Sequence, residues 1–140
     1  KNKHLENMPY FLGESDINRQ LQMLPGIEQG GEGYSNLYVR GGDVDQNLIT
    51  YNGTPIYNSN HLFGISSVFH NRSIHNTAVH RGITSAKYGG RTSSFINLES
   101  KKNDKYSGSA GEFEMTPLNA GFYYEIINKD NSYFTLSARR

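Results

Sequence analysis

The chain has 140 residues and a formal net charge of +1, enough for one ordinary domain with a core of its own. So even a charge balance gives no electrostatic argument for nucleic acid or an anionic membrane surface. There is no cysteine, which excludes a disulfide framework and thiolate metal sites. Mean hydropathy is -0.67 and no run of about 18 apolar residues occurs, which excludes a membrane-spanning helix but not a transmembrane barrel, whose strands alternate.

The first residues, Lys1 to Phe11, do not form a signal peptide. Ser15 is placed to cap a short helix in which Ile17, Leu21 and Leu24 recur at helical spacing, with Asp16 near the positive end of its dipole. Pro25 and Gly26 end that helix. The glycine-dense stretch to Asn36 reads as irregular, with an exposed loop over 29–36 and a strand beginning near Leu37. Asn47 to Tyr51 and Thr54 to Tyr57 flank Asn52 and Gly53, a pair that tolerates the positive φ angles of a type I′ turn, so a hairpin is predicted. Tyr57 to Ile65 reads as a second irregular loop and Ser66 to His70 as a short helix. Strands are predicted from Ile74 to Arg81 and from Phe95 to Glu99, giving a helix or two on a small mixed sheet, an α+β fold.

The last third changes character. Gly111, Phe113 and Met115 alternate with Glu112 and Glu114; Leu118, Ala120, Phe122, Tyr124 and Ile126 alternate with Asn119, Gly121, Tyr123 and Glu125. Phe134, Leu136 and Ala138 alternate with Tyr133, Thr135, Ser137 and Arg139. Thr116-Pro117 and Asn128 to Asn131 separate these runs. Dyad alternation of this kind suits barrel strands with lipid on one side and water or protein on the other. An antiparallel meander in a soluble domain has the same period.

Several motifs in order add to this. Leu24-Pro25-Gly26 is followed by Val39-Arg40-Gly41 and by a strand into Asn52-Gly53-Thr54-Pro55. Arg81-Gly82, Tyr88-Gly89 and Ile96-Asn97-Leu98, closing on Lys101, come after it. In this order they resemble the plug domain of TonB-dependent outer-membrane transporters. Two positions depart from the pattern: Ile83 stands where a proline is often found, and Ser93-Ser94 where a double glycine usually precedes the Ile-Asn strand.

The resemblance implies a plug at about residues 8–101 and, at 105–140, the first strands of an incomplete transmembrane β-barrel, the whole being a fragment of a transporter. It implies the gating of nutrient import (siderophore, cobalamin, glycan or peptide) from outside the cell outer membrane into the periplasm. The implied partners are TonB, through a TonB box upstream of this chain, the protein's own barrel, and a surface lipoprotein as a candidate lid; nucleic acid is not among them. Arg40 and Arg81 match positions where the family carries arginines that pair with acids of the barrel wall, where a guanidinium can bond a carboxylate in bidentate fashion. Candidate cargo contacts are Glu32, Tyr34 and Ser35 in one loop and Tyr57, Asn58, Asn60 and His61 in another, since rings stack on sugar or chelate faces and amides bond hydroxyls.

Other chemistry finds little support. His61, His70, His75 and His80 suggest a metal site, but no cysteine joins them and an odd spacing sets His75 and His80 on opposite faces of a strand. Asp43-Val44-Asp45-Gln46-Asn47 opens like a calcium loop, yet Leu48 and Thr54 occupy the required glycine and glutamate positions, so a polar turn is expected. The glycines at 30, 31 and 33 lack the Gly-Lys-Ser/Thr of a phosphate loop, and no serine sits in a nucleophile elbow. No cofactor and no catalysis are expected. The rival readings are a soluble, secreted β-rich module that binds carbohydrate or another ligand, and an enzyme of hydrolase type, which would need a convergent acid, base or nucleophile cluster.

Overall fold

A computed structural model describes residues 16–31, 34–82, 85–100, 107–117, 120–130 and 132–140, with the side chain of Leu62 set aside. Ser15, Glu32, Ile83, Lys101, Leu118 and Asn119 lie outside the described residues. Helix α1 (Ile17–Gln22) is capped by Asp16, whose extended backbone and carboxylate receive the N–H groups of Asn18 and Arg19. Asp16 is thus the cap itself rather than a charge near it. The helix stops before Pro25, and Gly26 turns the chain with φ 78.

Strand β1 (Ile27–Glu28) pairs antiparallel with β2 (Tyr38–Val39), setting Ile27 opposite Val39. After Val39 the chain reverses through Arg40 and Gly41, both at positive φ, and the Gly42 N–H closes onto the Val39 carbonyl. A 3₁₀ turn at Val44–Gln46 follows, held by a capping box in which Asp43 accepts from Val44 and Gln46 accepts from the Asp43 N–H. This is the polar turn expected of that segment.

Strands β3 (Asn47–Tyr51) and β4 (Thr54–Ile56) form the predicted hairpin, with Asn52 at φ 50 and Gly53 at φ 81. Beyond it the chain departs from expectation. Tyr57 to Ile65 is not wholly irregular, and Ser66 to His70 is not a helix: β5 (Asn60–His61) and β6 (Ser66–Ser67) pair across the tight turn Leu62–Gly64. Two adjacent serines compete poorly for helix and are held here by backbone pairing. The helical turn comes later, at Asn71–Ser73, with the His70 ring nitrogen as its cap.

β7 (Ile74–Arg81) and β8 (Ser94–Ser100) complete a sheet of order β4-β3-β8-β7 in which β3 and β8 run parallel and the other pairs antiparallel. Pro55 sits in an edge strand, where its missing N–H breaks no ladder. Ile96, Leu98 and Ile49 on one sheet face meet Ile17 and Leu21 of α1, Val39 and Phe69, forming the apolar core. On the other face Thr50, Asn97, Glu99 and Asn76 bond one another across three strands. Phe95 is covered there by the stacked rings of Tyr88 and His80.

β9 (Gly108–Met115), β10 (Ala120–Ile127) and β11 (Tyr133–Arg139) form a separate antiparallel meander of order β11-β10-β9. Along β10 Gly121, Tyr123, Glu125 and Ile127 are buried, while Phe122 and Ile126 are exposed. Phe113, Met115, Phe134 and Leu136 of the neighbouring strands are exposed too, and the register sets Phe122 beside Phe113 and Ile126 beside Phe134. One face is therefore an open apolar band; the other carries the polar set and is covered by the rest of the chain.

Candidate functional site

The covered face is where the two parts of the molecule meet. Its centre is Tyr123, on which the His70 ring stacks at 5.5 Å between centroids with a 20° interplanar angle. The Tyr123 hydroxyl donates to Glu125 Oε2 at 2.8 Å, giving a buried carboxylate a partner. Gly121 permits the approach: a Cβ there would lie 3.5 Å from His70 Nε2 and 3.4 Å from Glu114 Cγ. His70 accepts the Arg72 N–H at Nδ1 and is buried. Burial holds its pKa below the usual imidazole value, against the upward pull of Glu114 and Glu112, while Arg72 adds to the depression.

Charged contacts flank this ring pair. Arg72 Nε meets Glu112 Oε2 at 2.7 Å in a partly solvated pair. Arg139 of β11 reaches inward, donating from Nη1 to the Phe69 carbonyl at 3.0 Å, with Nη2 4.0 Å from Asp16 Oδ2. Both of those side chains are buried, and Asp16 also accepts the Ser67 N–H. Farther along, the hydroxyls of Ser100 and Tyr133 lie 3.1 Å apart. Sequence reasoning did not single out Asp16, Arg72, Glu112 or Arg139 as a set, because the partners are far apart in the chain. The only sequence signal was that charges sat on the polar side of the dyad pattern.

Arg40 and Arg81 are brought together. A Cβ on Gly26 would lie 3.7 Å from Arg81 Nη1 and 3.9 Å from Arg40 Cγ, and one on Gly82 would lie 3.0 Å from Arg40 Nη1. The glycines make room for two guanidinium groups side by side. Among the described residues neither has a carboxylate within ion-pair distance.

The loop candidates divide. Tyr34 is exposed, but Ser35 is fully buried, donating from Oγ to the Gly64 carbonyl at 3.0 Å, which corrects the expectation of an exposed loop at that position. Tyr57 is 87% exposed, and Asn58 and His61 are exposed beside it. Asn60 is half-buried and ties the loops together, bonding Asn36 at 2.6 Å and receiving Asn18 at 3.3 Å. Tyr57, Asn58 and Asn60 line a cavity of about 420 Å³ whose wall also includes Asp43, Asp45 and Arg91. Phe63, at φ 56 and 98% exposed, projects from the turn between β5 and β6; nothing in the sequence pattern marked it. His75 and His80 are both exposed, and a β-bulge between Ile74 and Asn76 breaks the alternation on which their opposite placement was argued. Among the described residues no three His, Cys, Asp or Glu side chains converge in a way that could hold a metal.

A small α+β domain covering the polar face of strands whose other face is an open apolar band has the architecture of a gate seated on the wall of a membrane barrel. The sequence profile of the TonB-dependent receptor plug domain matches residues 11–94, and the chain belongs to that family. No curated relative matches it. The family places the chain in the context of outer-membrane transport, TonB and a surrounding β-barrel.

Proposed function

We propose that this chain is the gate, at about residues 8–101, together with the first wall strands, at 105–140, of an active transporter in the cell outer membrane that imports a nutrient into the periplasm. TonB draws on the chain on the N-terminal side of α1, and the proton gradient supplies the energy. The domain moves rather than catalyses.

The observation that carries this reading is the two-faced meander, in which Phe113, Phe122, Ile126, Phe134 and Leu136 stand exposed opposite a polar face covered by the plug. A lipid environment accounts for such a band, and water does not. Arg40 and Arg81, side by side without a carboxylate among the described residues, await acids from other wall strands and lock the plug to them. Cargo meets the loops carrying Tyr34, Tyr57, Asn58 and His61 and the cavity beside them.

Size-exclusion chromatography of residues 1–102 and of the whole chain, each with and without detergent, tests the division. The short form stays soluble, and the long form needs detergent because its apolar band and its unpaired strand edges are open. A stable detergent-free monomer of the whole chain would instead favour a soluble binding module.

A further inference from the structure

Helix α1 is buried on most of its circumference, but much of what it touches is polar. Asn18 donates to Asn60, Arg19 Nη2 to the Ile65 carbonyl at 2.7 Å, and Gln22 Nε2 to the carbonyls of Tyr34 and Asn36 at 3.0 and 2.8 Å. Its apolar share of the core is Ile17 and Leu21. Beside its cap lie Ser66 and Ser67, both buried, whose hydroxyls have no hydrogen-bond partner among the described residues. A single helix therefore holds the loop at 34–36 and the β5–β6 hairpin, and it does so through bonds that water can replace.

At the N-terminal end of that helix, Asp16 joins three elements. It caps α1, accepts from Ser67 of β6, and faces Arg139 of β11. Any pull on the chain before residue 16 reaches this carboxylate before it reaches the core.

We propose that Asp16 and Arg139 form a latch between plug and barrel wall, and that α1 is the first element to leave when the chain is drawn from its N-terminal side. The inference rests on the transporter reading for the source of the pull. Breaking the latch leaves Arg139 buried with one anionic partner fewer, so the contact resists until the applied force exceeds it and then fails as a unit. Once α1 leaves, the space it vacates is bordered by Ser35, Asn36, Asn60, Ser66 and Ser67, side chains suited to water. The corner Phe69–Ser73, which meets the wall through the Phe69 carbonyl, His70 and Arg72, has no direct tie to α1 among the hydrogen bonds described and stays in place as a pivot.

The test is single-molecule pulling from an N-terminal handle on the full-length protein in detergent micelles. The first extension should correspond to residues 16 to 26, roughly 35–40 Å of released chain. Asp16→Asn keeps the capping oxygen while removing the charge, and Arg139→Gln removes the charge from the other side. Each should lower the first rupture force by a similar amount, the double variant should lower it no further, and Arg72→Gln should leave it unchanged. A first rupture at the unmodified force in both latch variants, or a first extension as long as the whole plug, overturns the proposal. Loss of nutrient uptake in a protein that keeps the expected rupture pattern would count against the transporter reading and not against the latch.

Discussion

Replacing Phe122 by arginine separates a membrane wall from a soluble meander. Phe122 lies on the outward face, in register with Phe113 on one side and Ala138 on the other. Successive outward residues of β10 are Ala120, Phe122, Tyr124 and Ile126, a stretch of about 20 Å along the strand. A barrel tilt of about 40° leaves roughly 15 Å of membrane depth. Phe122 stands near the middle of that depth. A guanidinium on the lipid face costs about 2–4 kcal/mol at the midplane and about 0–1 kcal/mol near the interfaces, so about 2–3 kcal/mol is expected here. That is a roughly 30- to 150-fold fall in the folded ratio. On a soluble sheet, with water against the same face, the change would cost about 1 kcal/mol or less, chiefly the lost ring pair with Phe113. Ser137→Arg is the control, because Ser137 lies opposite Tyr123 on the polar face. Denaturant titration of the full-length protein in lipid vesicles reads both variants. A Phe122→Arg protein within about 0.5 kcal/mol of the unmodified one would refute the membrane assignment of this face.

Three further outcomes are expected. Replacing both Arg40 and Arg81 by alanine in the full-length protein should loosen the plug by about 1.5–3 kcal/mol for each charge-assisted bond lost and impair uptake; unchanged plug protection in hydrogen exchange together with unchanged uptake would sink the lock assignment. His70, with its pKa depressed in the folded state, gives stability that is present above the unfolded value of about 6.5 and is lost as pH falls through the lower folded value. His70→Asn should flatten that part of the profile of melting temperature against pH, and an unaltered acid limb would show that other groups carry it. Gly42→Ala should cost about 1–3 kcal/mol, because its Cβ would meet Ser93 Oγ at 2.4 Å and displace the hydroxyl from the Val39 carbonyl. Gly41→Ala meets nothing within 4 Å and should show only the left-handed penalty of about 1–2 kcal/mol, so equal melting shifts for the two would contradict the steric argument.

Features fixed by local chemistry were legible in the sequence. Asn52-Gly53 takes the positive φ angles a two-residue hairpin needs, and the dyad pattern around Phe122 and Tyr123 gives the correct inward and outward sets. Segments decided by distant partners were not. Ser66 and Ser67 adopt a strand because His61 and Asn60 supply the pairing, and Ser35 is buried because Gly64 offers its carbonyl from across the fold. The bulge after Ile74 shifts a register that counting along β7 cannot reveal. The Asp16 to Arg139 contact spans nearly the whole chain, and no spacing rule connects the two.

The charge arrangement between plug and wall also runs in two directions. The family pattern directs attention to plug arginines seeking wall acids, and Arg72 with Glu112 has that polarity. Asp16 with Arg139 has the reverse. The two pairs differ physically more than their signs suggest. Arg72 and Glu112 are partly in water, where an ion pair contributes about 1 kcal/mol or less. Arg139 and Asp16 are buried, so separating them without access to water strands both charges. Around them the contacts are a ring stack, hydroxyl and carbonyl bonds and a glycine that lets His70 approach, while the large apolar side chains lie either inside the plug, as Val39, Ile96 and Leu98, or on the outward band. An interface built this way is held firmly while dry. It separates readily once water enters and satisfies each group in turn, which is what a gate that must seal and still open requires of its seam.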